Sequence, residues 1–396
     1  MPATIRNQAG RALALAVIAL LVVADVGTGL DRLSATTPGW ERFVPGPFAA
    51  NAWRTRALAA IRRGDVPAAR QAAEAAVRRG PVEPADSALL GSAFLLGADS
   101  GAADRAFRVA GQMGWRDAAT QVYWLSQSLG LGDYRVAAMR LDAFLRQNPE
   151  MTGAPAVMAA FETGPARSAL VGKLSSGPPW APDYIRNVGD LAPAELQARG
   201  EIVTAVARGG GRPAGCQAVG PLVDILVLRG LAGGADAVWR SNCPGQSNGL
   251  IGDGDFIHWQ SAGRDSLFSW WATGDSDVSV LTAQQKGSPG AGLAISSGSP
   301  FTRDVVGKLL YLPEGRYRLR WQAVAQDGRA TDRIVAALGC APTGGDPLAA
   351  HAIDAAGMNS AEIAVDRACP AHWLVFRVKP GGGEVRLAKV DLVRAG

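Results

Sequence analysis

Charge is scarce in this chain. Only 19% of its 396 residues are Asp, Glu, Lys or Arg, the net charge is +5, and no Lys/Arg run is interleaved with aromatics. A nucleic-acid groove needs a basic stripe to hold phosphates, so no nucleic-acid partner is expected. Histidine is scarcer: His258, His351 and His372 are the whole set, and none falls in H-E-x-x-H or near G-x-S-x-G. No G-x-x-x-x-G-K-[ST] occurs either, since Gly307-Lys308 lacks both the preceding glycine and the following hydroxyl. These gaps argue against zinc proteases, serine hydrolases and P-loop enzymes, and no cofactor is expected. A paired-carboxylate glycosidase leaves no spacing signature and ranks below binding. Residues 209–214 formally fit G-x-G-x-x-A, but they follow a helical stretch and contain Pro213, so they read as a loop.

Cysteine is missing before Cys216; the four are Cys216, Cys243, Cys340 and Cys369, with no C-x-x-C. An even number without metal-type spacing suits an oxidising compartment. Four cysteines allow three connectivities. Keeping each pair within one module joins Cys216 to Cys243 and Cys340 to Cys369, and four buried free thiols are the alternative.

What is present is apolar and segmented. Hydrophobic residues make up 48%, with Gly 49 and Pro 24, a globular composition long enough for two or three domains. Arg6 and Arg11 precede an apolar run over residues 12–24 that extends, with one interruption at Asp25, to Leu30. Positive charge ahead of an apolar stretch keeps the N-terminus in the cytoplasm and sends the rest across. Residues 12–30 are therefore expected to meet the membrane, with the bulk of the chain in a bacterial periplasm. An uncleaved anchor is favoured; cleavage after Val22-Val23-Ala24, leaving a periplasmic or secreted protein, is the alternative. Residues 31–47 read as a linker.

A period of 34 residues follows. Gly64-Asp65, Ala98-Asp99 and Gly132-Asp133 are in register, as are Ala69, Ala103 and Ala137, then Ala73, Phe107 and Leu141, then Ala76, Ala110 and Phe144. Small residues at fixed spacing let paired helices approach, and each Asp suits the N-cap of the second helix of a hairpin. Over residues 48–150 this resembles the tetratricopeptide repeat, which implies a solenoid whose concave face holds a protein partner. Residues 151–247 continue with helical pattern but without the period.

From residue 249 the pattern changes to short alternating runs. Residues 268–273, 278–282, 292–296, 304–312, 316–325, 333–338, 361–366, 372–378 and 384–393 are nine candidate strands, the spacing of a β-sandwich. The expected fold class is thus a multidomain α plus all-β protein, with a membrane helix (1–30), a helical repeat (48–150), a further helical region (151–247) and a sandwich (248–396). Gly252-Asp253-Gly254-Asp255-Phe256, Trp270-Trp271, the stretch from Tyr311 to Leu319 and the closing Val385 to Leu392 resemble, in order, the jelly-roll folds of family 4/9 carbohydrate-binding modules. Repeats followed by such a sandwich are similar to proteins of alphaproteobacterial polysaccharide loci.

The resemblance implies aromatic platforms for sugar rings, with Trp259, Trp270, Trp271 and Trp321 the candidates and Trp373 a fifth available ring. If Trp270 and Trp271 both lie in a strand, alternation points them to opposite faces, one core and the other the better sugar candidate. It also implies a calcium site of Asp253, Asp255 and Asp391, with turn capping as the competing role. The leading functional expectation is a non-enzymatic accessory scaffold for surface polysaccharide assembly or export. A purely structural interaction scaffold without sugar binding is the runner-up.

Overall fold

The computed structural model describes residues 3–395 except 212–213, 260–262, 274–275, 285–290, 342–345, 349–351, 354–356 and 370. His351, Arg212 and Pro213 lie outside the described residues. The chain forms two contact units, Met1–Asn148 and Pro149–Gly396.

The first unit begins with α1 (Ala3–Thr36). Its stretch Leu13–Thr36, 24 residues, is long and apolar enough by length and composition to cross a membrane. The helix runs on into the span 31–47 expected to be linker and ends at Thr36. Its last turns dock on α2 (Ala50–Arg63), whose N-cap Ala49 has no side-chain acceptor. The buried Asp31 carboxylate supplies one instead, accepting from Ala52 N at 2.9 Å and Asn51 N at 3.0 Å, the donors a helix start leaves unpaired. Two 3-10 turns, Trp40–Phe43 and Gly46–Phe48, then bring Val44 and Ala49 into a small core with Leu30, Phe48 and Trp53. A partner twenty residues away is invisible to local patterning, which is why these residues looked like a linker.

Three helix hairpins follow: α2 with α3 (Val66–Arg79), α4 (Pro84–Leu96) with α5 (Ser100–Met113), and α6 (Ala118–Gly130) with α7 (Tyr134–Leu145). The repeat columns have the roles their spacing implied. Asp65, Asp99 and Asp133 accept from Ala68, Ala102 and Val136 N at 3.1, 3.0 and 3.0 Å. The residue before each Asp is left-handed: Gly64 at φ 74°, Gly132 at φ 73°, and in the second hairpin Ala98 at φ 60°, where a Cβ costs ~1–2 kcal/mol. Ala69, Ala103 and Ala137 are wholly buried between paired helices. Ala103→Trp is therefore expected to cost ~1–3 kcal/mol or more by overpacking. Amide exchange in the full chain should show α4 to α6 losing protection while the sandwich strands keep theirs; unchanged protection would mean that this column is not a helix contact.

The second unit opens with seven elements: a 3-10 turn Pro149–Gly153, then α8 (Pro155–Glu162), α9 (Arg167–Ser175), α10 (Ala181–Arg186), α11 (Pro193–Arg208), α12 (Cys216–Leu228) and α13 (Ala232–Asn242). Its strands are β1 (Trp271–Ala272), β2 (Val278–Gln284), β3 (Ala291–Ser297), β4 (Arg303–Leu310), β5 (Gly315–Ala325), β6 (Ile334–Cys340), β7 (Asp346–Pro347), β8 (Ala352–Ile353), β9 (Met358–Val365), β10 (His372–Val378) and β11 (Val385–Arg394). They form two antiparallel sheets, β1-β4-β10-β6-β7 and β2-β3-β11-β5-β9-β8. In β5 the alternation is strict: Tyr317, Leu319, Trp321 and Ala323 enter the core while Arg316, Arg318 and Arg320 face water.

The expected strand over 268–273 shrinks to the two residues of β1. The segment before it is claimed by α12, where Asp224 accepts from Ser266 Oγ at 2.6 Å and Leu267 N at 2.8 Å. Trp239 of α13 stacks on Phe268 with centroids 6.3 Å apart. The pattern changes at residue 248, but tertiary contacts run across that point. The short strands β7 and β8 carry too few residues to show alternation. The glycine-aspartate motif at the start of the sandwich is a seam: a Cβ on Gly254 would lie 1.9 Å from Val390 O, and Val390 N donates to Gly254 O at 3.0 Å. Only glycine lets the first and last segments meet this closely.

Candidate functional site

The adjacent tryptophans divide between core and surface, although only Trp271 lies in a strand, β1. Trp270 is 4% exposed, donates its indole N–H to Asp253 O at 2.7 Å, and packs on Phe256 and Phe376 with centroids 4.9 and 6.1 Å away. Trp271 is half-buried on the outer face of the five-stranded sheet, in register with Gly307 of β4. Trp373 of β10 also faces outward, and the two rings cross edge-to-face at 6.0 Å and 84°, the arrangement aromatic quadrupoles favour. Val375 continues the face, and Arg377 pairs with Asp304 at 2.6 Å beside it. The Arg264 guanidinium lies 5.5 Å from the Trp271 ring centroid.

One of the other platforms is corrected. Trp321 is completely buried and donates to Ile334 O at 3.3 Å, so it is core. Trp259 is half-buried against the same core, in the turn segment after Phe256, and its indole N–H has no acceptor among the described residues. Trp373 was named as an available ring from the sequence, and Arg264 was the residue that sequence reasoning did not single out. Trp373 carried a signal in its alternation with Leu374 and Phe376; Arg264, in a loop, carried none.

The calcium reading is also corrected, because its acids are committed elsewhere. Asp253 caps a turn, accepting from Ile257 N at 2.8 Å and His258 N at 2.9 Å. Asp391 is paired with Arg320 at 2.6 Å, Asp255 is exposed, and no group of three metal-ligating side chains occurs among the described residues. A protein ammonium lies beside Asp253 instead: Lys308, 3% exposed, donates from Nζ to Ile251 O at 2.5 Å and sits 5.0 Å from the Trp270 ring centroid.

Burial pushes Lys308 down from the usual 10.5 to about 7, against the attraction of Asp253. The unfolded chain therefore holds the extra proton between those two values. Stability should rise with pH through this window by up to ~1.4 kcal/mol for each pH unit, and the penalty is fully present below it. Denaturant midpoints at pH 7 and pH 9 are expected to differ for the native chain and to differ less for Lys308→Met. An identical pH difference in both proteins would contradict this.

Cys340 and Cys369 are joined, with Cα atoms 5.6 Å apart. The bridge ties the end of β6 to the approach of β10, next to Trp373, whose partner in register is Gly339. Cys216 and Cys243, the other expected pair, are unbonded. They are neighbours nonetheless: a hydrogen bond between them and burial push the Cys243 thiol up, and the same bond holds Cys216 down. His372 is buried at the start of β10, and burial lowers its pKa; His258 caps out on Asp253 at 3.4 Å.

No family model matches the chain, and no curated protein is significantly similar to it. Among solved structures, a carbohydrate-binding module, TmCBM61, in complex with β-1,4-galactotriose is 14% identical, covering 38% of this chain and 100% of the module at a TM-score of 0.27. The enzymatically active domain of tailspike protein 4 of bacteriophage CBA120 is 14% identical, covering 32% of this chain and 19% of that one at 0.24. Neither likeness bears on what this chain binds.

Proposed function

We propose that the protein is a non-enzymatic envelope scaffold that brings a protein partner, through the hairpins α2 to α7, together with a surface glycan contacted by the sandwich, in the assembly or export of that polysaccharide. The α1 helix anchors it, leaving both units on the periplasmic side. The observation that carries the glycan part is the half-exposed Trp271–Trp373 pair on the outer face of the five-stranded sheet, while Trp270 and, in the other sheet, Trp321 are spent on the core. Sugar rings stack their C–H faces on such indoles, and the polar Arg377–Asp304 pair beside them suits hydroxyls.

The test is binding of the full chain, reconstituted in nanodiscs, to extracellular polysaccharide of the producing cell. Retention by the native chain and loss with Trp271→Ala is the expected pattern. A folded chain that retains no glycan would leave the interaction scaffold without sugar binding as the better account.

A further inference from the structure

We propose that the glycan on the Trp271–Trp373 face is anionic, a polysaccharide bearing carboxylates, and that Arg264 reads its charge; the inference rests on the glycan reading above. The argument is one of commitment. Residues 248–396 contain eleven arginines. Seven are paired with carboxylates, and Arg333 and Arg394 donate to backbone carbonyls. Among the described residues only Arg264 and Arg316 have neither kind of partner, and Arg316 lies on β5 of the other sheet. Arg264 is exposed, with its guanidinium 5.5 Å from the Trp271 ring centroid.

Local charge supports an incoming anion. Asp304, beside the tryptophans, is neutralised by Arg377 at 2.6 Å. Asp265, the next residue after Arg264, is turned away, accepting from Gln246 at 3.4 Å. A cation held 5.5 Å from a ring centroid is at the loose end of the cation–π range. Re-aiming the guanidinium toward a carboxylate on a stacked sugar costs little and gains a charge-assisted, bidentate contact. A neutral sugar would gain the stacking and leave the guanidinium idle.

The experiment compares extracellular polysaccharide of the producing cell before and after carboxyl reduction, which converts each uronate to a neutral hydroxymethyl sugar on the same backbone. The full chain in nanodiscs is expected to bind the native polymer at least ~10-fold more tightly, about 1.4 kcal/mol. Arg264→Gln should bring the ratio of the two affinities close to one, and Trp271→Ala should weaken binding to both. Equal binding of the two polymers by the native chain, lost with Trp271→Ala, would overturn the anion inference and leave the glycan reading standing. A preference that survives Arg264→Gln would assign it to the chain's general positive charge and overturn the role of Arg264. Binding of neither polymer would remove both readings together.

Discussion

Glu162→Ala is expected to destabilise the second unit by ~3–5 kcal/mol, because it strands a buried cation. Arg199 of α11 is completely buried and Glu162 is 1% exposed. The guanidinium donates to Glu162 Oε1 at 2.7 Å, to Tyr184 O at 3.0 Å, to Asn187 O at 2.8 Å and to Thr152 O at 2.7 Å. One side chain thus ties the Pro149–Gly153 turn, the end of α8, α10 and α11 together. Burial raises the Glu162 carboxyl despite the attraction of Arg199, so desolvation consumes much of what the pair gains, and its main contribution is to geometry. Joint replacement, Glu162→Leu with Arg199→Met, should accordingly recover part of the loss, limited by the three carbonyls left without donors. Denaturant unfolding followed by the fluorescence of Trp180, buried 6.3 Å from Tyr184, measures both variants. A single alanine within ~0.5 kcal/mol of the native chain would show that the cluster does not hold these segments.

The adjacent tryptophans should separate as cleanly as any pair in the molecule. Trp270→Ala removes a ring packed on Phe256 and Phe376 and one of the two donors to Asp253 O, leaving Phe256 N at 3.1 Å, an expected cost of ~3–5 kcal/mol. Trp271→Ala removes a half-buried ring whose contacts are Trp373 and Arg264; it should cost well under half as much and abolish glycan retention. Thermal unfolding and polysaccharide binding on the same samples report the two quantities. The comparison belongs in the full chain, because Asp224 of α12 holds Ser266 and Leu267 directly before the pair. If Trp271→Ala unfolds as Trp270→Ala does, or binds glycan normally, the platform reading fails and the sandwich becomes a structural partner of the helices beside it.

The parts of this protein that were readable from its order of residues are those whose physics is local. A capping carboxylate reaches an amide three residues on, so Asp65, Asp99 and Asp133 announce their helices by position alone. A strand turns successive side chains to opposite faces, so Arg316, Arg318 and Arg320 had to face water together. The apolar length of α1 needs no fold to be recognised. Which tryptophan faced outward, however, depended on which side of the sheet met Phe256 and Phe376. Trp321 lay in an equally alternating strand and proved to be core because a second sheet covers it.

Fold class and the 34-residue hairpin period were thus set by spacing within the chain, since propensity, capping and alternation act over two to four residues, whereas pairing cysteines within a module met the Cys340–Cys369 bridge but not Cys216 and Cys243, which are unbonded. Tertiary structure alone decided that Asp31 caps a helix twenty residues away, that Lys308 and Arg199 are buried cations, that Asp253 and Asp391 are committed to other partners, and that Trp271, Trp373 and Arg264 share one face. Each of these joins residues distant in sequence, and their energies come from desolvation and contact geometry, which exist only once the sheets and helices have closed on one another.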